Sequence, residues 1–135
     1  MNEESRALLT EARPMRFGMS DAELASRSTV YRSDLLAGKS WVVSGGGSGI
    51  GKAIAFLAAR LGAEVTICGR TEEKLAATRD AIRDATGRDI AVRAMSIREP
   101  DAVEQLLDDV LARCGRIDLL VNNAGGQFPQ DAIDF

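Results

Sequence analysis

Ser44-Gly45-Gly46-Gly47-Ser48-Gly49-Ile50-Gly51 is the stretch that decides how this chain is read. It follows a short apolar run, Trp41-Val42-Val43, which reads as a buried strand. After it, Ile50, Ala53, Ile54, Leu57, Ala58 and Leu61 recur at the spacing of one helix face, and Gly62 closes the run. Glycines between a strand and a helix start permit positive φ and let a ligand approach the backbone closely. The helix that follows offers unbonded N–H groups and the positive end of its dipole, which favours an anion such as a pyrophosphate. The spacing is G-x-x-x-G-x-G through Gly45, Gly49 and Gly51, and no register fits G-x-G-x-x-G. Lys52 follows the last glycine without the G-K-[ST] arrangement of a P-loop. Alone, such a segment is equally a flexible turn, so its flanks decide.

Working outward, Glu64-Val65-Thr66-Ile67-Cys68 reads as a second strand. Thr71 is placed to cap a helix over Glu72 to Thr86, with Leu75 and Ile82 inward and Gly87 as its stop. Ile90 to Ser96 makes a third strand, and Pro100 suits the first turn of a third helix. The face of that helix is Val103, Leu106, Leu107, Val110, Leu111 and Cys114, and Gly115 ends it. Ile117 to Val121 is a fourth strand running into Asn122-Asn123-Ala124-Gly125-Gly126. Strands alternating with helices imply parallel pairing with right-handed crossovers. The expected fold is therefore α/β: a Rossmann-type doubly wound parallel sheet, represented by its first four strands in the order 3-2-1-4 with three helices. This unit spans residues 38–135. Residues 1–37 are polar, with helical hints at Arg6 to Ala12 and Asp21 to Arg27 and a helix-start pattern in Ser20-Asp21-Ala22-Glu23. They are read as an N-terminal extension, partly helical or disordered.

Composition narrows the partners. A net charge of −3 with 45% hydrophobic and 27% charged residues suggests neither nucleic acid nor an anionic membrane. No stretch approaches the roughly 18 apolar residues of a membrane span. The chain has no histidine, and Cys68 and Cys114 have no second ligand at metal spacing, so no metal site is expected. Lone cysteines and the absence of a signal pattern place the chain in the cytoplasm.

The end of the second strand bears on the cofactor. An NAD-selective site puts an acid about 20 residues after the glycines, on the ribose 2′-hydroxyl. Here Cys68-Gly69-Arg70 stands there, and Glu72 and Glu73 fall in the next helix as solvated surface. Arg70 can meet a 2′-phosphate with two parallel hydrogen bonds, so NADP(H) is favoured over a solvent-facing role for this charge. The missing acid also argues against an S-adenosylmethionine-dependent methyltransferase. The small residues of Asn122-Asn123-Ala124-Gly125 let a cofactor ribose pass close, and the Asn side chains can tie strand ends together. A purely structural Asn-Gly turn accounts for them equally well.

Taken together, the glycine motif after the first strand and N-N-A-G after the fourth resemble the short-chain dehydrogenase/reductase family over about Leu36 to Phe135. The resemblance implies cofactor contacts by Gly45, Ser48, Gly49, Ile50 and Gly51, and by Asn123, Ala124 and Gly125 beside the nicotinamide ribose. Ser44 stands where the family usually has Thr and keeps the hydroxyl. Ser96-Ile97 stand where the family often has Asp-Val against the adenine, which keeps a hydrogen-bonding group without a carboxylate. Ser96-Ile97-Arg98, and Asn122 through Gly125 followed by Gly126-Gln127-Phe128, resemble the branch of trans-2-enoyl-CoA and 2,4-dienoyl-CoA reductases. That branch implies NADPH-dependent reduction of an acyl-CoA thioester in fatty acid metabolism, a small-molecule substrate, and a homo-oligomer for the full-length protein. An NADP-dependent carbonyl reductase or alcohol dehydrogenase is the alternative, and a truncated NADP-binding module without turnover is another.

No catalytic residue is expected within these 135 residues. By the resemblance, the family's catalytic Ser and Tyr-x-x-x-Lys lie beyond residue 135. Tyr31 precedes the first strand and has Leu35, not Lys, four residues on. A four-stranded half-sheet also leaves a strand edge unpaired and apolar surface uncovered. The sequence is therefore expected to be part of a longer polypeptide or to need a partner surface.

Overall fold

The computed structural model describes residues 18–125. The helical hint at Arg6 to Ala12 and the loop Gly126-Gln127-Phe128 lie outside the described residues.

Four strands form one parallel sheet: β1 (Ser40–Ser44), β2 (Glu64–Gly69), β3 (Ala91–Ala94) and β4 (Leu119–Val121), in the order β3-β2-β1-β4. This is the arrangement expected from the sequence. Four helices accompany it: α1 (Asp21–Ser26), α2 (Gly49–Arg60), α3 (Glu72–Thr86) and α4 (Pro100–Cys114). The third and fourth strands are shorter than expected, since Ile90, Met95, Ser96, Ile117 and Asp118 fall outside the paired ladder.

The sheet is covered on both faces, as a parallel sheet requires. Alternate residues of β1 and β2 serve the two sides. Val43, Val65 and Ile67 join Ala55, Phe56, Ala59, Leu75 and Ile82 under α2 and α3. Val42 and Cys68 join Met95, Leu106 and Val110 under α4. Burial pushes the Cys68 thiol up, so this residue is a core filler rather than a nucleophile. On α4, Leu106 and Val110 are buried but Leu111 is 46% exposed, as are Leu119 (38%) and Leu120 (48%) on the outer strand β4. The expected six-residue face of α4 is thus only partly used by this half-sheet.

The buried side of α2 departs further from expectation. Ala55, Phe56 and Ala59 turn inward, Ile50 is 74% exposed, and Ala53, Ile54 and Leu57 are half-buried. The helix is apolar on most of its circumference, so the stripe of larger residues did not settle its rotation. Small Ala55 and Ala59 let the helix axis lie close to the sheet, and the bulkier side is left to face the preceding segment.

That preceding segment is docked. Ser20 caps α1 with a reciprocal capping box to Glu23. Leu24 is buried in the α2/α3 core. Lys52 Nζ meets Asp21 Oδ1 at 2.5 Å, and the Arg60 guanidinium donates to the Leu24 carbonyl at 2.9 Å and the Arg27 carbonyl at 2.7 Å. Thr71 occupies the N-cap position of α3 as expected, but its side chain makes no capping hydrogen bond.

The start of the β1–β4 pair is held by Asp118. Its carboxylate accepts from the Ser40 N–H at 2.8 Å and from the Arg116 guanidinium, with Lys39 Nζ at 3.6 Å. The Arg116 hydrogen bond, the Ser40 N–H and the nearby positive charges hold the Asp118 carboxyl at about 2, below its ordinary 3.8. A lowered folded-state value means this clamp stabilises the fold above about pH 4 and is lost as pH falls toward 2. NMR titration of Asp118 is expected to give a midpoint near 2, and Asp118→Asn to flatten the stability change between pH 4 and 2. A midpoint at the ordinary value would remove the clamp from the account.

Candidate functional site

The carboxyl ends of β1, β2, β3 and β4 open onto one cleft of about 670 Å³. Open α/β sheets bind ligands at this end, where strand order reverses. In this sheet that reversal lies between β1 and its two neighbours β2 and β4.

The glycine turn forms one wall. The Gly45 N–H donates to the Cys68 carbonyl at 2.8 Å, holding the turn against the end of β2. Gly51 is buried under it. A Cβ at Gly51 would lie 2.5 Å from Asn123 Nδ2 and 2.8 Å from the Gly45 carbonyl carbon, so only glycine fits. Ser48 holds the N-cap position of α2, yet its hydroxyl makes no capping bond. The first-turn N–H groups of α2 are therefore left without a side-chain acceptor at the cleft.

The opposite wall is Asn123-Ala124-Gly125, latched to the end of β1. The buried Ser44 hydroxyl donates to the Val121 carbonyl at 3.1 Å and accepts from the N–H groups of Asn123 and Ala124, both at 3.0 Å. Asn123 Nδ2 donates to the Ser44 carbonyl at 3.0 Å and to the Gly45 carbonyl at 3.4 Å. The two turns, more than 70 residues apart in sequence, form one polar unit.

Of the residues singled out from sequence, Gly45, Ser48, Ile50, Arg70, Ser96 and Ile97 line the cleft, with Asn123, Ala124 and Gly125 across from them. Ser44, Gly49 and Gly51 do not line it; Ser44 and Gly51 shape the wall from beneath, and Gly49 opens α2. The Ser96 hydroxyl oxygen accepts from the Arg98 N–H at 3.2 Å, which leaves its proton free to donate outward. Glu72 and Glu73 are exposed and lie away from the cleft, as expected. Tyr31 lines a different hollow, with Ile54 and Leu57, beside the exposed Ile50.

Two cleft residues were not assigned a site role from sequence: Lys74 and Arg98. Lys74 follows Arg70 by four residues, one helical turn, and that spacing is the signal that would have found it. Arg98 follows Ser96-Ile97 directly.

Among the described residues no group of His, Cys, Asp and Glu could hold a metal ion, and no helix is long and apolar enough to cross a membrane.

A parallel half-sheet whose glycine turn is buttressed by an Asn turn defines a nucleotide-binding unit of the Rossmann class. Residues 39–135 match the family model described as short chain dehydrogenase, and the chain belongs to that family. A peroxisomal 2,4-dienoyl-CoA reductase of Danio rerio is 36% identical over 108 residues, covering 78% of this chain and 36% of that protein. The chain thus spans about a third of the length of such curated relatives, and the likeness to the dienoyl-CoA reductase branch read from the motifs holds over that third. Among solved structures, a citronellol catabolism dehydrogenase of Pseudomonas aeruginosa is 42% identical with a TM-score of 0.68, covering 73% of this chain and 41% of its own. An L-sorbose reductase of Gluconobacter frateurii, in complex with NADPH and L-sorbose, is 28% identical with a TM-score of 0.69, covering 77% and 40%.

Proposed function

We propose that this chain is the NADP(H)-binding part of a reductase that acts on an enoyl-CoA or dienoyl-CoA thioester. The observation that carries the cofactor reading is the cleft itself: Arg70 lines it at the end of β2, and no Asp or Glu lines it at all. An acid would be needed there to select the free 2′-hydroxyl, whereas a guanidinium suits a 2′-phosphate. The glycine turn fits the rest of the dinucleotide, because the space a Cβ at Gly51 would fill is taken by backbone and the α2 N–H groups are left open.

In this reading Gly45, Ser48, Gly49, Ile50 and Gly51 hold the pyrophosphate side, and Ser96 and Ile97 border the adenine. Asn123, Ala124 and Gly125 border the nicotinamide ribose. When bound, the cofactor supplies a hydride. The residues of this chain position it: the Ser44–Asn123 latch fixes the distance between the two walls, and Arg70 fixes the adenosine end. The acyl-CoA preference is supported by the 36% identity to a dienoyl-CoA reductase. The fold likeness to a sorbose reductase favours a carbonyl substrate as the second reading. Free thiols at Cys68 and Cys114 suit a reducing compartment such as the cytoplasm.

The test uses the full-length protein. NADPH oxidation is followed with crotonyl-CoA and with a 2,4-dienoyl-CoA, beside a ketose. Turnover of the thioesters alone supports the proposal, ketose turnover alone supports the second reading, and NADPH binding without turnover of any of them defeats both. Arg70→Ala is expected to weaken NADPH about tenfold while leaving NADH nearly unchanged, the loss of one charge-assisted contact. A variant that keeps its preference for NADPH would remove Arg70 from the site.

A further inference from the structure

The positive charge on the cleft exceeds what one arginine supplies, and its distribution is specific. Arg70, Lys74 and Arg98 all line the cleft, and none of their side chains has a hydrogen-bonding or ion-pair partner. Every other described Lys or Arg has one. Arg32, Lys39, Lys52, Arg79, Arg83, Arg88, Arg93 and Arg116 pair with carboxylates. Arg60 and Arg113 are held by carbonyls and by the Thr66 hydroxyl, and Arg27 by the Met19 sulfur. In a chain of net charge −3, leaving only these three cations unpaired, around one acid-free cleft, marks an anion site.

The three come from two loops that flank the adenosine end. Arg70 ends the β2 turn. Lys74 lies in the first turns of α3, and its base packs on the glycine turn: a Cβ at Gly47 would sit 3.1 Å from Lys74 Cβ. Arg98 lies beyond β3, its backbone N–H tied to the Ser96 hydroxyl. Ser96 contributes by what it lacks, since a carboxylate at that position would be a ready partner for these cations.

We infer that Lys74 and Arg98 complete a three-cation cradle with Arg70 for the phosphate monoester on the adenosine ribose, and that they set the selectivity for it. This rests on the NADP(H) reading above and extends it to two further residues. The pyrophosphate is served by the glycine turn and the α2 N–H groups, so the cradle distinguishes the phosphorylated from the unphosphorylated ribose. Coenzyme A carries a monoester on the neighbouring ribose hydroxyl, and the two sources are separable by their fragments.

The experiment is a fluorescence titration of the full-length protein with NADPH and NADH, using wild type and the Lys74→Met/Arg98→Met double variant, in low and high salt. Competition by 2′,5′-ADP, 3′,5′-ADP and 5′-ADP accompanies it. The expected result is a loss of NADPH affinity of about 30-fold in the double variant at low salt, shrinking at high salt, with NADH changed less than about twofold. In wild type 2′,5′-ADP should compete best. If wild type prefers NADPH and the double variant keeps that preference, the cradle is overturned and Arg70 alone stands. If NADH weakens in step with NADPH, the two residues serve the shared pyrophosphate and the cradle is likewise overturned. Stronger competition by 3′,5′-ADP overturns the assignment to the cofactor's monoester. Equal binding of NADH and NADPH by wild type overturns both the cofactor reading and the cradle.

Discussion

Gly51→Ala is expected to weaken dinucleotide binding by at least about 100-fold and to lower stability by about 1–3 kcal/mol, as overpacking of a rigid site does. The added methyl would meet the Gly45 carbonyl group, with its carbon at 2.8 Å, and Asn123 Nδ2 at 2.5 Å. Neither neighbour is the free end of a flexible chain. The Gly45 carbonyl is backbone, and Asn123 Nδ2 is engaged by the Ser44 and Gly45 carbonyls. Accommodating the methyl therefore pushes the glycine turn and the Asn turn apart, and these are the two walls of the cleft. Gly49→Ala provides the contrast. Gly49 has φ of +55° and nothing within 4 Å of a Cβ, so alanine there meets only the backbone cost of the left-handed region, about 1 kcal/mol. Urea denaturation and cofactor titration of both variants check this. Comparable losses in the two would mean that the close approach at Gly51 is not what excludes a side chain.

The order of the sheet was legible because it follows from local patterns that agree with one another. Apolar runs too short for helices, each followed by a 3-4 spaced helix and a glycine stop, leave parallel pairing as the consistent solution, and αL glycines at Gly87 and Gly115 end α3 and α4 where expected. The rotation of α2 was not legible. Ile50, Ala53, Ile54 and Leu57 form the more conspicuous stripe, yet packing distance, set by Ala55 and Ala59, chose the other side. The docking of α1 was equally hidden. Leu24 is a single buried side chain in a polar segment, and what fixes it is an ion pair and two carbonyl contacts made across 27 to 36 residues by Lys52 and Arg60, which no periodicity records. In the cleft, the glycines, Arg70 and the Asn turn could be read from their places at strand ends. Lys74 and Arg98 could not be told from surface charge, because the property that distinguishes them is the lack of a partner, and partners exist only in the folded chain.

Ser44→Ala is expected to destabilise the chain by about 3 kcal/mol, more than its loss of one oxygen suggests. The hydroxyl is 5% exposed and is engaged three ways: it donates to the Val121 carbonyl and accepts from the N–H groups of Asn123 and Ala124. Removing it leaves two N–H groups and one carbonyl without this partner at a site water reaches poorly, and each such group costs roughly 1–3 kcal/mol. The effect concentrates on β4. That strand pairs with β1 through only three residues, Leu119, Leu120 and Val121, and otherwise depends on Asp118 at its start and on this latch at its end. Two measurements separate the latch from a general packing loss. Hydrogen exchange of the Asn123 and Ala124 amides should accelerate out of proportion to that of β1 and β2. Ser44→Thr, which retains the hydroxyl, should restore most of the loss where valine, of nearly the same shape, does not. If Ser44→Ala leaves stability within about 0.5 kcal/mol of wild type, or if valine rescues as well as threonine, the polar latch is not what holds the Asn turn against the glycine turn. The geometry of the cleft would then have to rest on the Asn123 side chain alone.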